Sequence, residues 1–108
     1  MEPFSPDDIY NELEKRSNEF ESADNLYRDL KSSEEPLLSE IILEYMTKYT
    51  DENVTLWKVR AKADKRYKTH MAGMMEAKHL SNNAKLKFDN YKEKCRLMQT
   101  DQANRRGR

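Results

Sequence analysis

The sequence predicts an all-α protein, and three observations lead there. The chain of 108 residues contains only two glycines and three prolines. Sheets need turns, and turns draw on glycine, asparagine-glycine and proline, so an all-β fold lacks its punctuation. Two long runs place their apolar side chains three and four residues apart, which is helical spacing. Charged residues (37%) outnumber hydrophobic ones (36%), so the core must be thin and the surface rich in charge.

The first helix is expected over residues 5–31. Ser5-Pro6-Asp7-Asp8 offers an N-cap serine, a proline at the first helical position and two acids in the first turn. Ile9, Leu13, Arg16, Phe20, Ala23, Tyr27 and Leu30 then step by four and three, a period of 3.5 that marks a coiled-coil seam. Only Arg16 breaks its apolar character. Ser32-Ser33-Glu34-Glu35-Pro36 interrupts this helix, because proline removes a ladder donor and disfavours helical geometry before it. Ser32 or Ser33 is expected to cap a second helix over 33–49, a bent continuation of the first. Its stripe of Leu37, Leu38, Ile41, Ile42, Tyr45 and Met46 is wider than one partner helix covers.

Thr50-Asp51-Glu52-Asn53 is read as the reversal, with Thr50 or Asp51 capping the third helix. That helix is long, expected over 52–104, roughly 75 Å at 1.5 Å per residue. Its seam runs through Tyr67, His70, Met74, Ala77, Ser81, Ala84, Phe88, Tyr91, Cys95 and Met98; Val54, Trp57, Ala61 and Met71 belong to it more loosely. Gly73 and Ser81-Asn82-Asn83 are its weak points for bending. Residues 105–108 form a basic tail. These lengths fit one domain over 1–108: a long hairpin, helices 1 and 2 against helix 3. Two copies would close a dimeric four-helix bundle, because a lone hairpin with so wide a stripe buries too little.

Charge is segregated along the chain. Residues 1–52 carry fifteen acidic and five basic side chains, net −10, and residues 53–108 carry the reverse, net +10. The plainer explanation is that antiparallel halves neutralise each other. The sharper one is that the basic half meets nucleic acid, or that the acidic half imitates it. Lys78, Lys85, Lys92 and Arg96 form a helical stripe, and Arg105, Arg106 and Arg108 extend it; such stripes can track a phosphate backbone.

Enzyme chemistry finds no foothold. The chain shows no phosphate loop, nucleophile elbow or cysteine pair. His70 and His79 lie about 180° apart on a helix and cannot share a metal, and the Glu76/His79 spacing lacks the repeat that bundle metal sites need. His70 is better read as a seam packing residue. Cys95 lies among Lys92, Lys94 and Arg96, yet its seam position favours burial over reactivity. No catalytic residue, cofactor or metal is therefore expected. Met1-Glu2-Pro3-Phe4 lacks the basic start and apolar stretch of a secretory signal, no run is long and apolar enough for a bilayer, and a single cysteine suits a reducing compartment. The expectation is a cytoplasmic protein with no membrane contact.

One stretch resembles a known group. Tyr67, His70-Met71, Glu76-Ala77, Asn82-Asn83-Ala84-Lys85, Phe88, Tyr91 and Ala103-Asn104-Arg105-Arg106, over about 40 positions, are similar to small coiled-coil proteins of tailed phages and prophages. Pro36-Leu37-Leu38-Ser39-Glu40-Ile41 matches more loosely. The resemblance implies a protein of unknown function encoded near early recombination genes, working in the host cytoplasm, and brings no catalytic residues. The resulting expectation is an accessory protein, a homodimer, that binds a protein partner or single-stranded DNA during recombination or replication. Two alternatives stand beside it. One is an inhibitor of a host defence or nuclease, acting through Glu12, Glu14, Glu19, Glu21, Asp24 and Asp29. The other is a structural or assembly protein that uses coiled-coil pairing alone.

Overall fold

The computed structural model describes residues 5–106. Among them the chain forms four helices and no strand: α1 (Pro6–Ser32), α2 (Glu34–Lys48), α3 (Val54–Ala63) and α4 (Lys65–Arg106). The all-α expectation holds. The expected third helix over 52–104 does not form as one piece, because Asp64 divides it into α3 and α4.

Local chemistry explains each boundary. Ser5 Oγ accepts the Asp8 N–H at 3.1 Å, the N-cap bond anticipated for α1. At the other end, Ser33 keeps helical dihedrals (φ −87°, ψ −8°) and makes no side-chain cap. Instead the hydroxyls of Ser32 and Ser33 donate back to the Asp29 carbonyl at 2.9 and 2.8 Å. Neither serine is the cap expected of it. Pro36 sits in the first turn of α2, where a missing N–H costs little. The cap of α3 is Asn53, not Thr50 or Asp51: its side chain accepts the Leu56 N–H at 3.0 Å from an extended backbone.

Contacts divide the chain into two compact units, residues 1–24 with 79–108 and residues 25–78. In the first, the α1 portion runs antiparallel to the α4 portion, since Asp24 meets Ser81 and Arg16 meets Lys87 and Tyr91. Ile9, Leu13, Phe20 and Ala23 are half-buried, as are Ala84, Phe88, Tyr91 and Met98, while Ser81 and Cys95 are buried. Arg16 occupies its seam position by satisfying its polar head. Its Nε donates to Glu12 Oε1 at 2.7 Å, Nη1 donates to the Lys87 carbonyl at 3.4 Å, and the guanidinium lies 4.8 Å from the Tyr91 ring centroid.

The second unit holds the end of α1, all of α2 and α3, and the start of α4. Ile41 and Ala61 are completely buried there, and Ala77 nearly so. Small residues at Ala61 and Ala77 let helices approach closely. His70, half-buried on the seam, bonds the Leu30 carbonyl at 2.7 Å, so it satisfies one of the last four carbonyls of α1. Tyr67 donates to Glu34 at 3.1 Å, and burial first, then that hydrogen bond, raises its hydroxyl pKa.

Gly73 and Ser81-Asn82-Asn83 lie inside α4 without interrupting it. A Cβ at Gly73 would meet no atom within 4 Å, and Gly73 does not have positive φ. Gly73→Ala should therefore stabilise the protein by about 0.5–1 kcal/mol, the usual entropic gain at an unstrained helical site. Urea unfolding monitored by Trp57 fluorescence checks this; a lower midpoint would show that the helix needs glycine at this position.

Candidate functional site

The densest polar construction is the turn joining α2 to α3 and the junction joining α3 to α4, all within the unit of residues 25–78. Tyr45 and Tyr49 project from one face of α2 with their rings 6.0 Å apart and nearly parallel. The Trp57 Nε1–H donates to the Tyr49 carbonyl at 2.8 Å, closing the turn. The Arg60 guanidinium lies 4.0 Å from the Tyr49 ring centroid and forks onto both oxygens of Glu52, at 2.7 and 2.5 Å. That fork, the hydrogen bond first, lowers the Glu52 pKa.

Asp64 is the second anchor. Its backbone is extended (φ −65°, ψ 139°), and its N–H closes α3 on the Ala61 carbonyl at 3.1 Å. Oδ1 accepts the Arg66 N–H at 2.8 Å, which caps α4. Oδ2 accepts the Tyr45 hydroxyl at 2.8 Å. The Arg66 guanidinium touches Asp64 at 3.1 Å and reaches Glu44 of α2 at 2.5 Å. The Arg66 side-chain and backbone hydrogen bonds, then that of Tyr45, hold the Asp64 carboxyl far below the usual range. Donation to Asp64 raises the Tyr45 hydroxyl in turn.

The expected self-association stripe is placed unevenly. Ile41 is fully buried, Leu37, Leu38, Ile42 and Tyr45 are half-buried, and Met46 remains 43% exposed. Part of that stripe is thus already covered within the chain, where α2 packs on α3. Leu43, Val54, Leu56 and Val59 are exposed nearby on α2 and α3.

Of the expected nucleic-acid contacts, Lys78, Lys85, Lys92 and Arg96 lie on α4. Lys78 is exposed in the unit of residues 25–78, and Lys85, Lys92 and Arg96 are exposed in the other. Lys92 pairs with Asp89 at 3.3 Å, with its Nζ 4.5 Å from the Phe88 centroid, and Arg96 forks onto Glu93. Two of these four cations are therefore paired along their own helix. The side chains of Arg105 and Arg106, and all of Arg108, lie outside the described residues. A shallow groove of about 620 Å³ is lined by Asp8, Glu12, Arg16, Lys87, Asn90, Tyr91 and Lys94. Its walls carry opposite charges.

Folding also redistributes the charge. The unit of residues 1–24 and 79–108 carries eleven acidic and ten basic side chains, net −1; residues 25–78 carry nine and ten, net +1. The −10 and +10 halves are thus combined within each unit. Of the acidic series, Glu12 pairs with Arg16, Asp24 accepts from Ser81 at 3.4 Å, and Glu14, Glu19, Glu21 and Asp29 are exposed.

Among the described residues no three metal-ligating side chains converge, and no helix is long and apolar enough to cross a membrane. The fold defines an all-α protein held by narrow helix seams and side-chain clamps. No protein-family model matches the chain, and neither does a curated protein or a solved structure.

Glu52 and Asp64 titrate below their ordinary values of 4.5 and 3.8. Their side chains are only 18% and 13% exposed, but Arg60 and Arg66 opposite them are 40% and 48% exposed, so solvent screens both pairs and their contribution is modest. A depressed folded-state pKa gives stability that is complete above the unfolded value and lost as pH falls through the folded one. The urea midpoint read from Trp57 emission should therefore stay constant from neutral pH to about 4.5 and fall progressively below it. A midpoint unchanged between about pH 5 and pH 3 would show that neither pair holds α3 on α2.

Proposed function

We propose that this chain is a non-catalytic helical binding protein that acts on a protein partner, with a second copy of itself as the first such partner. The observation that carries the reading is the apolar side chain left open on α2. Leu38, Ile42 and Met46 succeed one another four residues apart, on a row displaced from the buried Ile41. Met46 is 43% and its neighbour Leu43 59% exposed. Exposed apolar surface grouped on one element is the usual mark of a protein interface. Pairing two copies along this row makes the dimeric four-helix bundle of two hairpins that the stripe's width suggests.

The pairing of charges supports a protein partner over single-stranded DNA. Nucleic-acid binders concentrate positive charge on one surface, whereas Lys92 and Arg96 on α4 are paired with Asp89 and Glu93 of the same helix. The resemblance to small phage and prophage proteins supports a role beside recombination or replication proteins in the host cytoplasm. A second reading, the inhibitor that offers phosphate-like charge to a basic groove, draws on Glu14, Glu19 and Glu21, which stand exposed on α1.

Sedimentation tests the proposal. Wild-type protein should self-associate, and Leu43→Asp with Met46→Asp should weaken that association at least about tenfold, because charge enters a dry interface. Both positions are exposed, so far-ultraviolet helicity should not change. A wild-type monomer at all concentrations would remove self-association. Affinity for single-stranded DNA at about 50 mM salt that falls steeply as salt rises would favour nucleic acid instead.

A further inference from the structure

The α3–α4 junction breaks a segment whose composition favours unbroken helix. Residues 54–72 contain no glycine or proline, and Val59-Arg60-Ala61-Lys62-Ala63 and Lys65-Arg66-Tyr67-Lys68 flank the break with mostly strong helix formers. Only Asp64 leaves helical geometry there, and it does so in ψ alone: φ at −65° is already helical, while ψ is 139°. A continuous helix would place the N–H groups of Lys65, Arg66 and Tyr67 on the carbonyls of Ala61, Lys62 and Ala63. In the observed state the Ala61 carbonyl takes the Asp64 N–H, and the Arg66 N–H goes to the Asp64 carboxylate. What opposes fusion is two side-chain bonds reaching across to α2, Tyr45 to Asp64 and Arg66 to Glu44, tied together by the Arg66–Asp64 bond within the junction.

We propose that Asp64 is a lock holding α3 as a lid on α2, and that opening the lock straightens α3 and α4 into one helix. Rotation of one backbone dihedral turns α3 off α2. Ala61, completely buried, and Trp57, half-buried, then leave their packing. The row of Ile41, Tyr45 and Tyr49 on α2 opens beside the row of Leu38, Ile42 and Met46. The lid thereby governs how much of α2 a protein partner can reach, and this meaning rests on the reading of α2 as the partner surface. A partner that engages Glu44 or Tyr45 removes bonds from the lock and favours the open state, as any ligand with higher affinity for one of two states does.

The test uses the full chain and three readouts. In Asp64→Ala, the Cα chemical shift of residue 64 should become helical, making helix continuous from 63 to 65. The emission of Trp57, the only tryptophan, should move to the red while far-ultraviolet helicity is kept or increased. Asp64→Asn keeps one oxygen to accept the Arg66 N–H, and its amide NH2, standing where Oδ2 was, can donate to the Tyr45 hydroxyl oxygen, so it should stay closed. The proposal is overturned if residue 64 remains extended in Asp64→Ala, if total helicity falls, or if Asp64→Asn straightens as fully as the alanine variant. Sedimentation of Asp64→Ala separates the two readings. Straightening with stronger self-association supports lid and surface together. Straightening without it leaves the lock standing and removes α2 as the partner surface.

Discussion

A helix that meets a single neighbour can bury a single stripe of its surface, and this constraint shapes the whole molecule. The buried apolar side chains are few and mostly small: Ile41, Ala61, Ala77 and Cys95. Hydrophobic burial at about 25 cal/mol per Å² has little area to act on, so position along each seam must be enforced in other ways. Polar groups placed at seam positions do this. Arg16 and His70 each sit where an aliphatic side chain would bury more area, and each bonds a backbone carbonyl distant in sequence. A slip in register would leave those groups unpaired, which a thin core tolerates poorly. Single polar residues in coiled-coil seams select one alignment by the same means, at some expense of stability.

The seams were legible in the sequence. Period 3.5 is a property of residue order alone, and the positions it picked out are the half-buried and buried ones, from Ile9 to Leu30 and from Tyr67 to Met98. The start of α1 was legible for a similar reason, since Ser5 acts on a donor three residues away. Contacts that span more of the chain left no such trace. The break at Asp64 depends on Tyr45 and Glu44, about twenty positions earlier, and the local sequence there favours unbroken helix. Conversely, Gly73 and Ser81-Asn82-Asn83 lower helix propensity yet lie in continuous helix, because a propensity deficit of about 1 kcal/mol or less per residue yields to packing at Ala77 and Ser81. At the turn, Thr50, Asp51 and Asn53 are all competent caps. The choice of Asn53 reflects where Trp57 and Arg60 must stand to reach Tyr49 and Glu52.

The candidate site was legible in part. The α2 stripe stood out as too wide for one neighbour, but which of its rows would be covered was set by α3, a helix not foreseen as a separate element. The side chains of the lysine stripe are exposed, and the sequence pattern did not anticipate how far Asp89 and Glu93 occupy Lys92 and Arg96. An acid three residues before a base on a helix is the available signal.

The near-neutrality of each unit also governs how copies of this chain meet. Molecules with a large net charge of one sign repel at distances up to the Debye length, about 8 Å at physiological salt, and that repulsion keeps them apart in solution. With formal charges of −1 and +1 on its two units, this chain has almost no such field. Encounters between copies therefore meet little long-range repulsion and little long-range steering, and their frequency is set by diffusion.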